Sequence, residues 1–287
     1  MSGERTAVVT GSTGGLGTEI VRLLAESGYD LVLVNRASDR AKTQRDQLEA
    51  SFPSRRVLGI DADLMDVTTI HAAAERVKGE CGSVKALYNV AGLLTDQRMT
   101  SAQGIEGHFA VNTLAPYVMA MALREPLSTG SSRGDLSVVV NFSSSAVKGV
   151  KALNAADLAN PSDIGGLFGA YATTKFAVTA VSCMLADEFQ KDGTIVVSAD
   201  PGATRTAMTK GNLAMPWFLR LLAPLVFSSP EKQATKLVSG VEQARAAGSS
   251  GAFIASGKQA ENPPLAMDAN VQADLRSVLD RYAYTQA

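Results

Sequence analysis

Short runs of aliphatic and β-branched residues recur along the chain at 6–9, 31–34, 57–60, 86–88, 136–141, 195–198 and 252–254. Several are apolar throughout rather than alternating, as expected of strands covered by helices on both faces. Between them lie segments with helical periodicity. In the first, Leu16, Ile20, Leu23 and Leu24 form one apolar stripe, Arg22 and Glu26 lie off it, and Gly28 is placed to end the helix. Pro53 closes the second helical segment, and Asp66 offers an N-cap to a third that runs to about Gly79. Strand and helix alternate without a repeat or a Pro/Gly-rich linker. The pattern predicts an α/β fold: one doubly wound domain over 1–287, with a seven-stranded parallel sheet flanked by helices.

Composition narrows the classes of partner. Apolar residues at 46% and charged residues at 19% suit a large core and exclude a disordered chain. Lys and Arg (27) nearly balance Asp and Glu (28), so no net field draws the chain to nucleic acid or anionic lipid. Two cysteines, Cys81 and Cys183, are too few for a disulfide framework or a Cys-rich zinc site and fit a reducing, cytoplasmic setting. The start, Met1-Ser2-Gly3-Glu4-Arg5, runs directly into the first strand, so no secretion leader is expected. The most lipid-like stretch, 213–227, contains Pro216, Arg220 and Pro224 and is too short for a membrane span. It reads either as a buried helical segment or as part of a lid over an apolar substrate.

The first chemistry-bearing motif is Thr10-Gly11-Ser12-Thr13-Gly14-Gly15-Leu16-Gly17, between the first strand and the first helix. Glycines there let backbone turn sharply and approach a pyrophosphate, whose charge is favoured by the amides and dipole of the helix N-terminus. No Lys-Ser/Thr pair follows the last glycine, which disfavours a site for γ-phosphate transfer. The spacing Thr-Gly-x3-Gly-x-Gly resembles the short-chain dehydrogenase/reductase family, a Rossmann-type fold.

Further segments match that family in order, from Thr10 to Thr206. Asp63-Leu64 ends the third strand, where the resemblance implies adenine contact, and Asn89-Val90-Ala91-Gly92 ends the fourth. Asn112, the run Asn141-Phe142-Ser143-Ser144, and Tyr171-Ala172-Thr173-Thr174-Lys175 resemble the family's Asn-Ser-Tyr-Lys tetrad. Ser144 aligns with the active serine, with Ser143 the second choice. Pro201-Gly202-Ala203-Thr204-Arg205-Thr206 resembles the loop that seats the nicotinamide carboxamide, with Thr206 the contacting hydroxyl. The resemblance thus implies cofactor contacts from Gly11, Ser12, Thr13, Gly15, Leu16, Gly17, Asn35, Arg36, Asp63, Leu64, Asn89, Ala91, Gly92, Tyr171, Lys175, Pro201, Gly202, Thr204 and Thr206. It also implies that Lys175 grips the nicotinamide ribose and that Asn112 holds a water linking the lysine to solvent.

Residue chemistry agrees with these roles. A phenol has a pKa near 10 and is a poor base until something stabilises its phenolate; Lys175, at i+4 from Tyr171 on one helical face, is placed to do so. Tyr171 is then the expected general acid or base, and Ser144 the donor to the reacting oxygen. The second strand ends Val34-Asn35-Arg36. Neutral Asn35 does not repel a 2′-phosphate and Arg36 can fork to one, so NADP(H) is preferred; no basic residue stands among Ser12-Thr13-Gly14, so NAD(H) stays open. His108 reads as structural and His71 as a helix-surface residue, leaving no metal site.

Residues 208–228, with Trp217 and Phe218, read as a substrate lid, and Leu167 and Phe168 as pocket wall. A small apolar alcohol, ketone or aldehyde is the expected substrate. Ser228-Ser229-Pro230-Glu231 and Gly251-Ala252-Phe253 resemble the retinol-dehydrogenase-like branch, and the family implies homo-oligomers. Two alternatives stay open: a non-catalytic nucleotide-binding sensor or scaffold of the same fold, and a cofactor-assisted lyase or epimerase.

Overall fold

The structure, a computed structural model, describes residues 5–132, 134–165, 169–205 and 227–284. Eight strands form one sheet: β1 (Thr6–Thr10), β2 (Asp30–Asn35), β3 (Val57–Asp61), β4 (Ala86–Asn89), β5 (Ser137–Phe142), β6 (Thr194–Asp200), β7 (Phe253–Ala255) and β8 (Lys258–Ala260). Their order is β3-β2-β1-β4-β5-β6-β7-β8. Neighbours among β1–β7 are parallel, whereas β8 runs antiparallel to β7. The seven expected strands are present, and the expectation of a seven-stranded, wholly parallel sheet is corrected by the eighth. Ser256 (φ 48°) and Gly257 (φ 83°) supply the two left-handed residues of a tight hairpin turn, which folds the exposed, polar β8 back on β7.

Strand alternation sorts the core into two layers. Ala7, Val9, Leu31, Leu33, Tyr88 and Val140 face α1 (Gly15–Glu26), α2 (Asp39–Ser51) and α8 (Pro230–Ala246), meeting Ile20, Leu24, Leu48, Leu237 and Val241. Val8, Val32, Leu87, Val139 and Val196 point the other way, with Ile70 and Val77 of α3 (Val67–Glu80), Val118 of α5 (Ala115–Ala122) and Phe176 and Leu185 of α7 (Ala170–Gln190). Each fully buried aliphatic side chain contributes about 1.5–3 kcal/mol, so strands buried on both faces hold the sheet ends firmly in place. A short α4 (Gly107–Phe109) leads through a π-turn (Ala110–Leu114) into α5, and α6 (Arg124–Gly130) precedes β5.

The last helix, α9 (Ala269–Ala283), buries Leu275, Leu279 and Ala283 in the second layer. Polar contacts lock it down: Tyr117 donates its hydroxyl hydrogen to Asp280, and Arg276 pairs with Glu188 of α7 at 3.0 Å. His71 of α3 donates to the Ala283 carbonyl at 2.7 Å and stacks on Tyr284. No described helix is long and apolar enough to cross a membrane. The chain leaves β1 for β2 and β3 on one side and returns to β4 on the other, so a crevice opens at the carboxyl ends of β1 and β4.

Candidate active site

At that crevice the glycine turn is held by close backbone contact. Gly11 has φ 68°, and its N–H donates to the Val34 carbonyl at 3.1 Å. A Cβ there would lie 2.7 Å from Ala91 Cα, and one on Gly17 would overlap the Gly11 carbonyl oxygen and come within 2.9 Å of Ser12 Cα. The helix that follows has Gly14 as its N-cap and no side-chain cap, whereas α2, α3, α8 and α9 are capped by Ser38, Asp66, Ser229 and Asp268. The leading amides of α1, from Gly15, Leu16 and Gly17, thus have neither an intrahelical acceptor nor a capping oxygen, a cradle that suits an anion. Gly17→Ala is expected to force this cradle open. Titration with NADPH should show at least about tenfold weaker binding with the fold retained; unchanged affinity would refute a role for the turn.

The ends of β4 and β5 are tied to α7. Asn89 Nδ2 donates to Asn141 Oδ1 at 2.9 Å, and Asn141 Nδ2 to Ser182 Oγ at 3.0 Å. Ala91 and Gly92 follow β4, and the Ala91 N–H reaches Thr10 Oγ1 at 3.4 Å. Asn112, in the π-turn, clasps the backbone of Leu93 through both amide atoms (2.8 and 3.0 Å) and donates to Thr174 Oγ1 at 3.2 Å. The inserted residue of a π-turn re-aims side chains on its rim, here bringing the asparagine against α7.

Ser143 and Ser144 divide sharply. Ser143 is buried, with its hydroxyl 2.6 Å from Thr179 Oγ1, while half-buried Ser144 hydrogen-bonds the Tyr171 hydroxyl. Tyr171 and Lys175 lie a turn apart on α7, both buried. Burial pushes the Tyr171 phenol up to about 12; the Ser144 hydrogen bond opposes this and the charge of Asp200 adds to it. Burial also pulls Lys175 down to about 8, and its Nζ donates to the Phe142 carbonyl at 2.7 Å.

Asp200, at the end of β6, is a charged neighbour that the sequence analysis missed. Its carboxylate accepts from the Gly202 N–H at 2.8 Å and from the Ser145 N–H, bridging the serine loop and the loop beginning at Pro201. Burial raises its pKa, opposed by those two bonds and by Lys148. A lone acidic residue before Pro-Gly carries no spacing signal that would have revealed it. Thr204 donates to the Gly202 carbonyl at 3.0 Å and bridges to Ser228. Thr206, residues 208–226 of the expected lid (Trp217 and Phe218 among them), and Leu167 and Phe168 lie outside the described residues.

On the adenosine side, exposed Arg36 follows β2. Asn35 is buried, its Nδ2 donating to Ser12 Oγ at 2.8 Å. The Ser12 hydroxyl donates to Gln44 Oε1 at 2.6 Å, so both side chains are engaged internally, with a partner in α2 that hydrophobic periodicity had not marked. Asp63 lies two residues beyond the end of β3 rather than at it; it is exposed and accepts from the Met65 N–H at 3.0 Å. Leu64 packs partly against the core. Elsewhere, buried His108 is held between Glu106 Oε1 (2.8 Å) and the Thr95 N–H (3.2 Å), a structural arrangement. No cluster among the described residues could hold a metal ion.

A mostly parallel sheet with these strand ends gathered on one crevice is a Rossmann-type arrangement. The chain belongs to the short-chain dehydrogenase family of oxidoreductases: residues 5–157 match the family profile described as short chain dehydrogenase. Among its relatives is the mouse (Mus musculus) polyprenol dehydrogenase, 28% identical over 94% of this chain and 81% of that protein. Mouse retinol dehydrogenase 12 is 27% identical over 81% of this chain and 72% of that protein. The solved structure of L-sorbose reductase from Gluconobacter frateurii, complexed with NADPH and L-sorbose, superposes with a TM-score of 0.67. It is 25% identical and covers 88% of this chain and 94% of the other.

Proposed function

We propose that the chain is an NADP(H)-dependent oxidoreductase that moves hydride between nicotinamide and an apolar alcohol, ketone or aldehyde, with Tyr171 as general acid and base. The observation that carries this is the Tyr171 hydroxyl, hydrogen-bonded to Ser144 and one turn from the buried Lys175, at the strand ends the glycine turn also borders. A nicotinamide dinucleotide fits the donor set. The cradle at Gly11–Gly17, which a Cβ would fill, suits pyrophosphate; Asp63, Leu64, Asn89, Ala91 and Gly92 would border the adenosine half; Pro201, Gly202, Thr204 and Thr206 the nicotinamide. Bound there, the cofactor supplies or accepts the hydride.

The chain's own groups handle the proton. With its pKa at about 12, Tyr171 holds its proton throughout the neutral range, the state needed to protonate a carbonyl oxygen as it becomes an alkoxide. Ser144 donates to the same oxygen and stabilises its developing charge. In the oxidative direction the phenol must lose its proton, and the Lys175 ammonium on the same helical face favours that form. Asn112, held against α7 through Thr174, keeps the lysine side of the helix in place.

Three features support the finer terms. Exposed Arg36 after neutral Asn35 favours the 2′-phosphate of NADP(H). Relatives named for polyprenol and retinol favour an apolar alcohol, and residues 208–228 are proposed as the lid over it. Two cysteines without a disulfide accord with a cytoplasmic setting. A homo-oligomer through faces that include α7, the helix bearing Tyr171, is proposed on the family resemblance. The test is an oxidation screen of NADPH and NADH over apolar aldehydes, ketones and quinones. NADPH-dependent turnover with a kcat/KM at least about tenfold above that for NADH is expected. A strong NADH preference would overturn the cofactor assignment, and silence across the screen would overturn the enzyme.

A further inference from the structure

We infer that Gln44 of α2 is a positioning residue for the dinucleotide, aiming the phosphate turn through Ser12; the inference rests on the cofactor site proposed above. Helix α2 is polar along nearly its whole length, and only Gln44 and Leu48 are buried. Leu48 fills the core. Gln44, 8% exposed, spends its amide on the turn. Its Nε2 donates to the Ser12 carbonyl at 2.8 Å and to Thr18 Oγ1 at 3.3 Å, and its Oε1 accepts from Ser12 Oγ at 2.6 Å. Asn35 Nδ2 completes the chain by donating to the same hydroxyl at 2.8 Å.

Two consequences follow from peptide geometry. The Ser12 hydroxyl is committed to Asn35 and Gln44, so Ser12 serves an anion through its backbone. In a planar trans peptide the carbonyl and the next N–H point in opposite directions. Pinning the Ser12 carbonyl to Gln44 therefore turns the Thr13 N–H away from α2. The Asn35 amide ties the end of β2, which Arg36 follows, to the Ser12 hydroxyl that Gln44 also holds, so the pyrophosphate and ribose portions of the site are presented as one rigid unit. Preorganisation of this kind acts on affinity, because fewer groups need ordering when the ligand arrives.

The test is fluorescence titration of the full chain with NADPH and with NADH, together with kcat and KM. Gln44→Met keeps the volume and removes every amide bond. It is expected to weaken both cofactors by a similar factor, about tenfold, with kcat at saturation within about twofold of wild type. Leu48→Ala, on the same helix, is the control for a purely structural role: it is expected to lower the melting temperature and leave both dissociation constants unchanged. Arg36→Ala is expected to weaken NADPH alone. Wild-type affinity in Gln44→Met, or equal weakening in Leu48→Ala, would overturn the inference while leaving the cofactor site standing. Failure of the wild-type chain to bind either dinucleotide would overturn both.

Discussion

Tyr171→Phe is expected to cut turnover at least about a thousandfold while leaving the fold and NADPH affinity intact. The substitution removes one oxygen and keeps the ring that packs in α7, so among the described residues the hydrogen bond lost is the one with Ser144. Phenylalanine can neither protonate an alkoxide nor take a proton from an alcohol, and Ser144 alone, an alcohol with no base beside it, cannot replace it. The pH profile supplies a second test. With the phenol at about 12, reduction should be flat through the neutral range, while oxidation should climb as pH rises toward the phenolate. Asp200 disfavours that phenolate by charge, so Asp200→Asn should lower the Tyr171 pKa and move the rising limb of oxidation to lower pH. Near-wild-type turnover in Tyr171→Phe with cofactor bound would rule out its acid–base role. An unmoved limb in Asp200→Asn would show that the carboxylate does not act on the phenol.

Those residues were legible in the sequence to different degrees, for physical reasons. Strands β1–β7 announce themselves because helices cover both faces, which demands unbroken apolar runs. Strand β8 satisfies no such demand: Lys258, Gln259 and Ala260 are exposed and held by pairing to β7 across Ser256-Gly257, so no apolar run marks it. The glycine turn and the Tyr171–Lys175 pair have fixed local spacing, and local spacing survives translation into structure. Gln44 and Asp200 do not have it. A buried polar residue is defined by its partners in other elements, here Ser12 across 32 positions of chain and the Gly202 and Ser145 amides, and no periodicity records those partners. Sequence likewise left two serines in contention, and the burial of Ser143 against Thr179 separates them.

Lys175→Met is expected to raise the stability of the dinucleotide-free protein at pH 7 while lowering turnover more than about a hundredfold. The ammonium is buried, and among the described residues it donates to one backbone carbonyl, that of Phe142. Desolvation is what draws its pKa from 10.5 to about 8. The sign follows directly. Below pH 8 both folded and unfolded chains hold the proton and the full burial cost is felt. Between 8 and 10.5 the unfolded chain binds more protons, so stability rises with pH through that window. The drop corresponds to a cost on the order of 3 kcal/mol at neutral pH. Methionine removes it and leaves the Phe142 carbonyl without a donor, a loss of about 1–2 kcal/mol. The charge wins, and the melting temperature at pH 7 should rise by about 2–4 °C, a gain that should shrink and reverse at pH 10. Calorimetry at the two pH values is the measurement. A variant less stable than wild type at pH 7 would mean that the ammonium is well compensated in the folded state. A stable but inactive variant would show that this lysine is retained against the interest of the fold, because the phenol one turn away needs its charge.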